Sequence, residues 1–255
     1  MGFLSNLFGK KTELPEFDIE RFEHLKRDCW IPVCEDGDRE VTDSKFSGIP
    51  YLREGESWPA CPNCKNPMQL FVQLNPESMP EATRTIWGDG MLQFFYCTNY
   101  KPITSCELEC QAWDPFSKST LLRVVKINGP AAWTSTTSVK EAFPPKTIVG
   151  WDHKDDYPNW EESREITKAS EPPSYEDWEL AQETFPRAGE KLLGWPYWVQ
   201  GVEYPNCPEC GTKMQLLFQI DSEVNIPYSF GDVGCGHITQ CPEHKTMFAF
   251  RWACH

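Results

Sequence analysis

Cysteine carries most of the chemistry open to this chain. Twelve are present: Cys29, Cys34, Cys61, Cys64, Cys97, Cys106, Cys110, Cys207, Cys210, Cys235, Cys241 and Cys254. Two C-P-x-C runs, Cys61–Cys64 and Cys207–Cys210, each deliver two thiolates from one tight turn, half of a tetrahedral zinc site. Downstream of the second run, Cys241-Pro242-Glu243-His244 repeats the spacing with His in place of the second Cys. Cys207, Cys210, Cys241 and His244 therefore make a complete ligand set. Upstream, Cys61, Cys64 and Cys97 supply three ligands. The position matching His244 is Tyr100 (244 − 144), so the fourth must be Cys106 or Cys110, with Cys106 closer to the preceding strand. Two zinc ions are expected. Four protein ligands leave no position for water or substrate, so both sites read as structural. Each would contribute on the order of 10 kcal/mol to folding. A thioredoxin-like role would need a βαβ setting. Here each C-P-x-C lies between a proline-containing turn and a strand. Cys29, Cys34, Cys235 and Cys254 read as core or free thiols. No secretory signal is visible, so the thiols are expected reduced, in the cytoplasm.

Other reactive types are sparser. Asp89 and Asp232 lie in the related turns Trp87-Gly88-Asp89 and Phe230-Gly231-Asp232. A carboxylate pair can do acid–base work, which keeps a hydrolase in view, but Asp in a glycine turn more often binds local backbone N–H groups. Gln73 and Gln219 are matched and strand-borne. They either line a groove or satisfy buried backbone groups. Trp87, Trp113 and Trp198 could stack bases if exposed. No phosphate-cradling glycine loop, nucleophile elbow or H-E-x-x-H is present.

These residues sit on a repeat. Gly48 to Gln73 aligns without a gap on Gly194 to Gln219, at an offset of 146 (194 − 48). Paired identities include Pro50/Pro196, Tyr51/Tyr197, Met68/Met214 and Leu70/Leu216. A repeat of this length is one supersecondary unit built twice. Short apolar-rich runs bounded by turn residues predict strands at 68–74, 91–97, 121–127, 214–220 and 247–252, and 234–240 echoes the strand that ends at Cys97. Apolar residues at helical spacing over 17–30 predict an amphipathic helix that ends before Pro32. A second short amphipathic helix is expected over 1–11. Residues 151–160 are acidic and turn-rich. Ser174 is a plausible cap for a helix through Glu183, with Asp177 in the capping-box position. The expected fold is α+β and β-rich: an internally duplicated pseudo-twofold domain of antiparallel sheets with two structural zinc knuckles. Its parts are an N-terminal helical segment (1–40) and one domain (41–255). That domain holds two repeats, 41–127 and 190–255, joined by an irregular, partly helical connector over 128–189.

Charge narrows the partners. Asp and Glu number 38 against 24 Lys and Arg, a formal net charge of −14. Nucleic-acid binding rests on a basic surface that displaces counterions, so nucleic acid is disfavoured. An acidic surface steers basic proteins toward it instead. No apolar run approaches the roughly 20 residues that span a bilayer. The expectation is a non-catalytic protein-binding module with a basic protein partner; the alternatives are an RNA-binding or RNA-processing factor and, behind it, a hydrolase.

Two stretches, Ser44 to Cys97 (SKFSGIPYL…MQLFVQLN…GMLQFFYC) and Leu193 to His255 (LGWPYWVQG…FGDVGCGHI…FAFRWACH), resemble the YwqG-like family. The paired C-P-x-C knuckles are similar to those of programmed cell death protein 2, grouped with YwqG-like proteins in the TYPP superfamily. The resemblance implies a duplicated β-rich fold. It also implies a role as a chaperone of a basic ribosomal protein or as a toxin-immunity protein. It brings no catalytic residues. This chain lacks the zinc-finger insertion of the cell-death protein.

Overall fold

A computed structural model describes residues 19–100, 103–129, 131, 139–167 and 185–255. The helices expected over 1–11 and from Ser174 to Glu183 lie outside these residues. The described chain is mostly one antiparallel sheet of ten strands. In chain order they are β1 (Arg27–Asp36), β2 (Lys45–Phe46), β3 (Gln69–Leu74), β4 (Met91–Tyr96) and β5 (Thr120–Val125), then β6 (Lys146–Asp156), β7 (Lys191–Leu193), β8 (Gln215–Asp221), β9 (Cys235–Gln240) and β10 (Phe248–Ala253). Two α-helices are described, both short: α1 (Cys106–Glu109) and α2 (Trp160–Ile166).

Across the sheet the order is β10-β9-β8-β7-β1-β6-β2-β3-β4-β5. The sheet curls until β10 meets β5, giving a nearly closed barrel-like shape. All six residues of β3 and all six of β4 are buried, because one side faces the barrel interior and loops cover the other. The interior is aromatic and drawn from both ends of the chain. Phe94 lies 4.4 Å from Phe250 between ring centroids, and Phe46 lies 6.0 Å from Phe218. The indole N–H of Trp252 donates to the Tyr96 hydroxyl at 3.0 Å. Such aromatic pairs add directional energy to their large buried area.

The expected hairpin strands are present at both ends, but two expectations fail. The helix predicted over 17–30 is confined to a 3-10 segment, Ile19–Leu25, and Cys29 and Trp30 belong to β1. Residues 27–36 are thus part of the sheet rather than of a helical N-terminal segment. Likewise the connector over 128–189 is not merely irregular. It contains β6, eleven residues long, which includes most of the stretch read as turn-rich. Pairing explains both. Arg27 to Asp36 zips along Asp156 to Lys146, with one bulge between Val33 and Cys34. That long cross-strand ladder overrides the local helical spacing and the weak β-propensity of Asp and Lys.

The two central strands are exchanged. β1 immediately precedes β2 in sequence but pairs with β7, whereas β6 precedes β7 but pairs with β2. Each leading strand ends in an aspartate paired with a buried lysine. Asp156, at the end of β6, accepts from Lys191 Nζ at 2.8 Å, from the Trp195 N–H at 2.8 Å and from the Arg187 N–H at 2.9 Å. Asp38, just after β1, pairs with Lys45 Nζ and accepts from the Ile49 N–H at 2.7 Å. Gly48 and Gly194 make this possible. Both have φ near +80°, and a Cβ on either would come within 2.4–2.5 Å of the aspartate oxygen.

Candidate metal centres

The same local fold builds both C-P-x-C turns. In the first, the Cys61 N–H donates to Asn66 O at 2.9 Å and the Lys65 N–H donates to Cys61 O at 2.8 Å. In the second, the Cys207 N–H donates to Thr212 O at 2.9 Å and the Gly211 N–H donates to Cys207 O at 2.8 Å. The residue after the second cysteine must turn left-handed. Gly211 does so at φ +72°, and Lys65 does so at φ +63°. Each turn is sealed to its strand by a further bond, Met68 N–H to Pro59 O at 3.0 Å and Met214 N–H to Pro205 O at 2.9 Å. Met68 and Met214 are fully buried and anchor the turns to the core.

The structure brings Cys61, Cys64, Cys97 and Cys106 together, their sulfurs all within 4.8 Å of one another. Cys61 and Cys106 are 3.6 Å apart at sulfur, as are Cys64 and Cys97. Cys97 arrives from the end of β4. Cys106 returns to it because its N–H donates to Asn99 O at 2.9 Å and Ser105 caps α1 by accepting from the Leu108 N–H. Tyr100, the position matching His244, is thrown out to solvent. Of the two candidates for fourth ligand, Cys106 joins the cluster. Cys110 stands beside it, 4.0 Å from the Cys106 sulfur.

Cys207, Cys210, Cys241 and His244 form the second cluster, with the same mutual limit of 4.8 Å. His244 Nδ1 lies 3.6 Å from the Cys207 sulfur and 3.8 Å from that of Cys241. Cys210 lies 3.6 Å from Cys241. Sulfur–sulfur separations near 3.6 Å are those that a tetrahedral ion with metal–sulfur bonds of about 2.3 Å requires. Both donor sets therefore fit one metal ion each.

Polar groups around the sulfurs favour thiolate. Asn99 Nδ2 donates to Cys97 at 3.1 Å, and Asn63 Nδ2 donates to Cys106 at 3.3 Å. The Thr212 side chain and N–H bring Cys210 down to about 6. Burial acts the other way on Cys97 and pushes its thiol up. A bound cation would reverse that, since a coordinating thiol is deprotonated outright.

The remaining candidates separate cleanly. Gln73 and Gln219 are buried and serve the backbone. Gln73 accepts from the Tyr51 N–H at 2.8 Å and donates to Val41 O and Asp43 O, both at 2.9 Å. Gln219 accepts from the Tyr197 N–H at 2.7 Å and donates to Gly189 O at 2.7 Å. Asp89 is exposed and ion-paired to Lys126 at 3.6 Å, and Asp232 is exposed in its own turn. Trp87 is not available for stacking: it is 1% exposed and its N–H donates to Gly90 O. Trp113 packs edge-on against Trp252, and the Trp198 N–H donates to Glu162. Cys29 is buried, which pushes its thiol up to about 12, and Cys235 is buried as well.

Sequence reasoning misses the Asp38–Lys45 and Asp156–Lys191 pairs. Lys45 and Lys191 obey the repeat offset of 146 (191 − 45), which is the available signal. The aspartates do not, since their separation is 118 (156 − 38).

No helix among the described residues is long and apolar enough to cross a membrane. A family model for DUF1963, a domain of unknown function, matches residues 44–244. No curated protein matches the chain.

Proposed function

This chain belongs to the DUF1963 family, and we propose that within it the chain is a zinc-stapled, non-catalytic module that holds a basic protein. The observation that carries the metal half of this reading is the pair of closed donor sets, each with four protein ligands at tetrahedral spacing. Zinc suits them because it accepts four thiolates, or three thiolates and an imidazole, equally well. The net charge of −14 supports a basic client. The resemblance to YwqG-like proteins supports a chaperone or a toxin-immunity role, and the matched halves of the sheet support an origin by duplication.

Two measurements test the reading. Elemental analysis of protein purified without added metal gives about two zinc per chain, and chelation unfolds or loosens it. A chain that carries no metal sinks the first half. Affinity capture from host lysate, at low and high salt, recovers a basic protein whose retention falls as salt rises. Recovery of only acidic or neutral proteins sinks the second.

A further inference from the structure

The two clusters hold their donors in unlike surroundings. At the first, Cys61, Cys97 and Cys106 are completely buried, and only Cys64 is partly open to solvent. Met68, Leu70 and Phe95 are buried against these sulfurs, with Leu121 packed beside them. At the second, Cys210 is exposed and the His244 side chain is 40% exposed, so two of the four donors meet water. Its apolar surround is thinner, made of Met214 and Ala249 with Met247 partly buried. One matched position sharpens the contrast. Asn63 ties α1 across the first cluster, donating to the Cys106 sulfur at 3.3 Å and to Glu109 Oε2 at 3.0 Å. Its counterpart in the repeat is Glu209 (63 + 146). Glu209 Oε2 lies 3.5 Å from the outer ring nitrogen of His244, and its side chain is itself 56% exposed, so it covers nothing.

We propose that the second centre exchanges its ion with the surroundings while the first keeps its own, so that occupancy of the second follows the zinc available outside. This rests on the metal reading above. An ion leaves a closed centre when an incoming donor reaches it as a ligand departs, and the apolar shell controls that access. Here the way in lies beside His244 and Cys210. The step is a ligand substitution without redox change. An incoming thiolate or chelator nitrogen supplies the electron pair, the His244 imidazole leaves neutral, and each thiolate that is released takes up a proton from water. The empty site keeps its shape. The link between β9 and β10 is closed by its own backbone, Cys241 N–H to Met247 O at 3.0 Å and Met247 N–H to His244 O at 2.8 Å. The knuckle is closed likewise, so the donors stay in place for refilling.

The experiment mixes the zinc-loaded full chain with an excess of a chromogenic zinc chelator. Released zinc is followed by absorbance, and freed cysteines are trapped by alkylation at intervals and located by mass spectrometry. One zinc is expected to leave about tenfold faster than the other, or more. Cys207, Cys210 and Cys241 should label with the fast phase, and Cys61, Cys64, Cys97 and Cys106 with the slow one. Release of both ions in one phase, or earlier labelling of the first cluster, overturns the proposal. A second arm uses Cys210→Ser, which should retain one zinc and release it only at the slow rate. Release of that remaining zinc at the fast rate also overturns the proposal. If this variant does not fold, the order of labelling in the unaltered protein decides alone. A chain that carries no zinc overturns the metal reading and this proposal together, whereas two zinc ions released at one rate overturn this proposal only.

Discussion

Replacing Lys191 by Met should destabilise the protein far more than replacing Lys45 by Met, although the two lysines occupy matched positions. Both lysines are completely buried. The aspartates differ: the Asp156 side chain is 0% exposed and that of Asp38 is 22% exposed. Lys191→Met leaves the Asp156 carboxylate in a dry site with only the N–H groups of Arg187 and Trp195. Removing one member of a buried pair costs about 3–5 kcal/mol, and these two remaining bonds place the cost near the lower figure. Lys45→Met leaves Asp38 with the Ile49 N–H and access to water, so about 1–2 kcal/mol is expected. The gap, roughly 1.5 kcal/mol, is about tenfold in the unfolding constant. Urea unfolding followed by tryptophan fluorescence reads it directly, provided the two variants share an m value. Removing both charges with Lys191→Met/Asp156→Leu should recover much of the loss, because an unpaired charge is costlier than an apolar pair. If Lys45→Met costs as much as Lys191→Met, solvent access to the aspartate is not what governs these pairs, and the reasoning fails.

Other outcomes follow from the same geometry. Burial holds the Glu190 carboxyl up at about 7, above its ordinary 4.5. The folded chain then binds this proton more tightly than the unfolded chain does, so this group's contribution to stability falls as pH rises from about 4.5 to 7. Glu190→Gln should remove up to about 3 kcal/mol of that slope, seen by comparing unfolding midpoints across the window. His237 is completely desolvated and held down at about 3, so its contribution has the opposite sign and is lost as pH falls below about 6.5. Gly211→Ala meets no neighbour and should cost only its left-handed φ, about 1–2 kcal/mol in thermal unfolding. Gly194→Ala drives a methyl into the Asp156 carboxylate and Cys29, and should yield little folded protein on expression.

What the sequence showed and hid divides along physical lines. The ligand turns were legible because their signal is local: Cys, Pro, Cys, a turn residue and a buried Met within eight positions (61 to 68). The strands β3, β4 and β8 were legible because burial leaves short apolar-rich runs bounded by turn residues, and β9 because it echoes β4 in the repeat. β1 and β6 were not, since they carry Asp28, Glu35, Asp152 and Asp155 and owe their structure to each other over more than a hundred residues of intervening chain. Proximity to β4 favoured Cys106 over Cys110, but only the return of the loop onto Asn99 O distinguishes them.

The exchange of β1 and β6 has a mechanical meaning. Each half of the sheet is completed at the centre by a strand that the other part of the chain donates, so neither part has a finished inner edge alone. Cutting the chain between β5 and β6 would leave two polypeptides, each with one cysteine-rich donor cluster and one strand promised to its counterpart. They should reassemble when mixed and remain separately insoluble, since an unpaired sheet edge seeks another strand. A protein of this design is a latched pair, and the latch is backbone hydrogen bonding at its centre rather than the two cysteine clusters.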